Sequence, residues 1–154
     1  MRALKTTMLA AALLATAAHA ESAVTIAASA PGKPIALGDQ ITVTDLIFRK
    51  VPHASQVHRC FVVVDGLSAT RPVGTQYELS FTLRGMDVLP NQTVRAGVIS
   101  FYEAAGSPPV TGAPLSFEIP VLYCTHDAWL NIKPLGKPNL GAKPTIGSIS
   151  LIGR

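Results

Sequence analysis

Hydrophobic and polar residues alternate along most of this chain with a period of two. The clearest run is Tyr77, Leu79, Phe81 and Leu83, interleaved with Glu78, Ser80, Thr82 and Arg84. Side chains on a strand point to opposite faces in turn, so the run predicts a half-buried strand with one wet face. Val24, Ile26 and Ala28 alternate with small or polar residues and predict a first strand over residues 24–29. Ile41 and Val43, set between Thr42 and Thr44, predict a second over residues 40–48. Residues 57–65 differ, because Phe61-Val62-Val63-Val64 is unbroken and β-branched. That composition predicts a central strand covered on both faces.

Further strands are expected over residues 93–103, with Val94, Ala96, Val98 and Ser100 on one side, and over 115–125, 128–132 and 145–152. Pro120 interrupts the run 115–125, which argues for an edge position or a bulge. Proline and glycine punctuate the gaps at Pro31-Gly32, Pro52, Pro72, Leu89-Pro90-Asn91 and Gly106-Ser107-Pro108-Pro109. No window carries a helical stripe. About eight short strands with such turns predict an all-β fold, a sandwich or a barrel.

The segment from Tyr77 to Pro109 resembles the central part of a fibronectin type III module. The residues that carry the resemblance are Leu79-Ser80-Phe81-Thr82-Leu83, then Leu89-Pro90-Asn91-Gln92-Thr93, then Ala104 to Pro109. It spans about a quarter of the chain after residue 20, and Val94 stands near where that family has its corner tyrosine. The resemblance implies an immunoglobulin-like antiparallel β-sandwich of about seven to eight strands, and no function.

The N-terminus changes the picture of where this fold operates. Arg2 and Lys5 precede an uncharged apolar run from Met8 to Ala18, and Ala18-His19-Ala20 has the small-x-small form of a signal-peptidase site. Residues 1–20 are therefore expected to be a signal peptide, and residues 21–154 a single domain, periplasmic or secreted. The apolar run falls short of the roughly 20 residues of a membrane span. Charge is nearly balanced once Arg2 and Lys5 are set aside, with 11 basic residues against 9 acidic ones, or +2. That excludes the dense basic face of a nucleic-acid binder. One asymmetry remains: no acidic residue follows Asp127, while Lys133, Lys137, Lys143 and Arg154 do.

Cys60 and Cys124 are the only cysteines. In an exported chain they are expected to pair, closing a loop of about 65 residues worth about 4 kcal/mol in the chain-entropy account. Each has a histidine two residues away on its outer side, in His58-Arg59-Cys60 and Cys124-Thr125-His126. If the cysteines sat on antiparallel neighbours, His58 and His126 would face one another beside the disulfide. Two facing imidazoles supply half a zinc site or part of a copper site, to which Asp127 and His53 could add ligands through loop geometry. An ordinary polar rim around a staple is the competing account. Trp129, the only tryptophan, is expected to pack in the core on the disulfide.

Catalytic signals are missing. No nucleophile elbow, phosphate-cradling glycine loop or paired carboxylates at a working spacing occur. Asn91-Gln92-Thr93 matches a glycosylation sequon, which chance and turn chemistry explain better. The expected function is therefore non-enzymatic: an exported binding or assembly module that presents loops or a strand edge to a partner. The partner is expected to be another protein or a cell-envelope component. Two alternatives stay open, periplasmic copper or zinc binding at His58 and His126, and a pilus-like subunit whose first strand, residues 24–29, is donated to a neighbour.

Overall fold

The computed structural model describes residues 23–49, 57–84, 93–102 and 113–154. The N-terminal segment expected to direct export, His53 and residues 85–92 and 103–112 lie outside them.

Among these residues the chain is all-β apart from one four-residue helix and one 3-10 turn. The strands are β1 Val24–Ala28, β2 Ile35–Ala36, β3 Thr42–Asp45, β4 Ile47–Phe48, β5 Cys60–Asp65 and β6 Tyr77–Leu83. They continue as β7 Thr93–Ile99, β8 Leu115–Ile119, β9 Ala128–Pro134, β10 Thr145–Ile146 and β11 Ser148–Gly153. Helix α1, Leu122–Thr125, lies between β8 and β9. All pairings are antiparallel. A first sheet runs β4-β1-β11-β5-β8, a second runs β3-β9-β6-β7, and β10 with β2 makes a small ribbon.

The two large sheets share one core. Ile26, Val62, Val64, Ile149 and Leu151 from the first sheet join Tyr77, Leu79, Phe81, Leu130 and Ile132 from the second in a single buried cluster. β5 is interior, flanked by β11 and β8, as its unbroken β-branched run predicts, but only one of its faces is covered: Cys60, Val62 and Val64 are buried, while Phe61 and Val63 stay partly exposed under surface arginines. β1 is taken up within its own sheet, paired to β11 on one side and β4 on the other. The pairing with β11 extends past the strand, where Ser29 N donates to Ile149 O at 2.8 Å and its buried hydroxyl accepts from Ile149 N at 3.0 Å. Among the described residues no helix is long and apolar enough to cross a membrane.

Three further expectations about the strands are corrected. The run expected over residues 40–48 is two strands in different sheets: Leu46 turns inward and is buried, and the chain passes there from the second sheet to the first. The run expected over 115–125 ends at Ile119, because Pro120 lacks the N–H a ladder needs and the chain coils into α1 instead. In β7 the register slips opposite Leu79 and Ser80, leaving Ala96 as the extra residue. The slip turns Ile99 and Phe101 inward where Val98 and Ser100 were expected.

Candidate functional site

The disulfide joins Cys60, at the start of β5, to Cys124 in α1, with a Cα–Cα separation of 5.9 Å. It ties the connection between the two sheets to the central strand of the first. The expected face-to-face register of the two histidine segments does not form. Cys60 lies opposite Ile119 and Gly153 in its sheet, while Cys124 is helical and belongs to no strand. His58 is exposed, and its backbone N–H donates to Arg154 O at 2.8 Å. The His126 ring turns back onto α1, with Nδ1 at 2.9 Å from Thr125 Oγ1 and 3.3 Å from Leu122 O. Asp127 is exposed, and its backbone carbonyl accepts from Arg84 N. Among the described residues no three His, Cys, Asp or Glu side chains come together as a metal-holding group.

Trp129 is not in the core. Ala128, Leu130 and Ile132 are the inward residues of β9, so Trp129, Asn131 and Lys133 face outward. Trp129 is 39% exposed, opposite Asp45 on β3 and Thr82 on β6. The Arg84 guanidinium lies 4.8 Å from its ring centroid and is ion-paired with Asp45. Next to it, Asn131 Nδ2 donates to Thr82 Oγ1 at 3.1 Å, and the Thr82 and Thr93 hydroxyls bond at 2.9 Å. Behind Arg84, a depression of about 280 Å³ is lined by Leu46, Phe48, Asp127 and Ala128. The exposed face of the second sheet thus carries a fixed aromatic ring in a polar lattice. The alternation Ala128-x-Leu130-x-Ile132 is the signal that could have placed Trp129 outside.

The first sheet repeats the device in a closed form. Phe61, on the outer side of β5, has the Arg59 guanidinium at 4.9 Å and that of Arg154 at 5.2 Å from its ring. Arg59 grips Glu118 on β8 through two hydrogen bonds, of 3.0 and 2.8 Å. Those bonds hold the Glu118 carboxyl below its usual range. Burial raises the hydroxyl pKa of Tyr123 in α1, and that of Tyr77, which the Asp39 charge also raises.

The strand edges differ most. On one side, Phe117 of β8 reaches across to β7 and lies on Gly97, where a Cβ would fall 2.3 Å from the ring. On the other side, β3 and β4 are one length of chain divided between the sheets. β3 pairs only with β9, so its outer backbone edge is open among the described residues. Along it, Ile41 is 55% exposed and Val43 59%, with Ile47 of β4 also exposed. An exposed β-branched edge next to an exposed tryptophan is the most apolar accessible strip on the described surface of the second sheet. No known protein family matches the chain, and no curated protein is significantly similar to it.

Proposed function

We propose that this chain is an exported, non-enzymatic binding or assembly module that docks an extended segment of a partner protein beside β3. The observation that carries this reading is the open edge of β3. Ile41 and Val43 stand out from it, and Trp129 stands on the neighbouring strand. Strand addition at such an edge takes its affinity from main-chain hydrogen bonds and its specificity from alternate side chains. The partner segment is accordingly one with apolar residues at every second position, set against Val43 and the Trp129 ring. Export is supported by the signal-like N-terminus and by the Cys60–Cys124 disulfide, which oxidising compartments allow to persist.

We read the two sheets as an immunoglobulin-like sandwich on the pairs β5–β8 and β9–β6, with β11 inserted between β1 and β5 as its departure. In this reading assembly uses β3 and not a donated β1, since β1 is already paired on both sides. Co-purification from the cell envelope tests it. Wild-type protein should retain a partner that Ile41→Lys/Val43→Lys loses, because charges at an edge block strand addition. Equal retention by both would sink the proposal.

A further inference from the structure

The end of the molecule away from the disulfide is a second, independent surface. Residues 70–76 and 135–142 are zipped together there: Thr70 N and Oγ1 donate to Ala142 O at 2.8 and 3.0 Å, Asn139 N to Val73 O at 2.8 Å, and Leu135 N to Gln76 O at 2.9 Å. Between residues 72–76 and 100–102 lies a depression of about 360 Å³, floored by the buried Val73 and Phe101. Tyr102 projects from its wall, 90% exposed, and Leu135 and Leu140 on the adjoining turns are half exposed.

Charge on these turns has one sign. Arg71, Lys137 and Lys143 are exposed, and the ion pairs among the described residues involve none of them. Residues 66–76, 100–102 and 135–147 contain no Asp or Glu. Two exposed carboxylates border these turns at the same end: Asp39, beside Gly38 whose carbonyl accepts from the Tyr77 hydroxyl, and Asp65, which precedes Gly66. Three large apolar side chains on separate turn tips, with cations and no carboxylate on the same turns, complement a surface that is anionic outside and apolar beneath.

We propose that this end docks on a bilayer containing anionic phospholipid. Tyr102, Leu135 and Leu140 enter the headgroup region, and Arg71, Lys137 and Lys143 face the lipid phosphates. The inference does not rest on the β3 edge. It leaves that edge, which runs from Ile41 beside Lys133 to Asp45 beside Trp129, to a protein partner.

Co-sedimentation of the exported chain with phosphatidylcholine vesicles, with and without about 30% phosphatidylglycerol, tests it. Binding is expected only to the anionic vesicles, and it should weaken as salt rises. It should fall at least about tenfold both in Arg71→Ala/Lys137→Ala/Lys143→Ala and in Leu135→Ser/Leu140→Ser. A Tyr102→Trp variant gives a reading that does not depend on those substitutions folding. The emission of the introduced indole should shift to the blue on binding. That of Trp129 should not, since β9 carries it about 20 Å from Leu135. No binding to anionic vesicles would overturn the proposal. So would undiminished binding by the leucine variant, or a shift confined to Trp129.

Discussion

The two sides of this sandwich handle the same liability differently. Every open sheet ends in strands with unpaired backbone groups, and such edges recruit other chains. On the β7/β8 side the edges are drawn together, and Phe117 spans the sheets to rest on Gly97. On the β3/β4 side a single stretch crosses from one sheet to the other at Leu46, leaving its outer edge lined by Ile41, Val43 and Ile47. The first arrangement uses apolar side chains to close an edge, and the second leaves them in solvent. The open side is the one to which the proposed docking assigns a partner.

The sealed side can be broken most severely through the disulfide. Cys124→Ala frees α1, and with it the hold on the start of β5. The loss should be about 4 kcal/mol by chain entropy for a loop of this length, read as a fall in the denaturant midpoint. A smaller but more local effect is expected from Gly97→Ala. Its Cβ would fall 2.3 Å from the edge of the Phe117 ring, and overpacking of this kind costs about 1–3 kcal/mol. Unchanged stability in that variant would mean that Phe117 does not seal the edge.

Arg84→Ala removes the cation over Trp129 and the partner of Asp45. At an exposed site this should cost about 0.5–1 kcal/mol, and the Trp129 emission should move toward that of a solvated indole. On the open side, Ile41→Lys/Val43→Lys should change stability by no more than about 0.5 kcal/mol while removing partner binding. A large loss of stability there would make β3 a structural edge and collapse the contrast. The smallest effect concerns Glu118. Its folded pKa lies below the ordinary 4.5 because Arg59 donates to it, so its contribution is present above that value and fades as pH falls through the folded one. The difference in Tm between wild type and Glu118→Gln should therefore shrink on acidification and vanish in strong acid.

Much of this was visible in the sequence, and the parts that were not have physical reasons. The alternation Tyr77-x-Leu79-x-Phe81-x-Leu83 placed β6, because it is a local statement about which face is covered; the β-branched run placed β5 inside a sheet but not the exposure of Phe61 and Val63, which depends on what packs over that face. The cysteine pair needed only the two residues and an oxidising address. Leu46 was not legible as a crossing point, since strand alternation continues through it and only the packing of two sheets shows where the chain changes partners. Ala96 inverts the face of β7 for the same reason: a bulge is defined by the strand opposite. The histidine pair was a correct observation on the wrong geometry. It assumed two strands where Pro120 makes a helix. Trp129 was misplaced by its nearness to Cys124, although Ala128, Leu130 and Ile132 already claimed the inner face of β9.

Whether the open edge is used can be read directly in living cells. A photo-reactive amino acid would be placed at position 43, on β3, and in a second strain at position 116, on the outer face of β8, and each irradiated. One discrete adduct is expected from position 43 and none from position 116, and the first should disappear when Ile41 is replaced by lysine. No adduct at position 43, or equal adducts at both positions, would contradict a β3 edge kept for a partner.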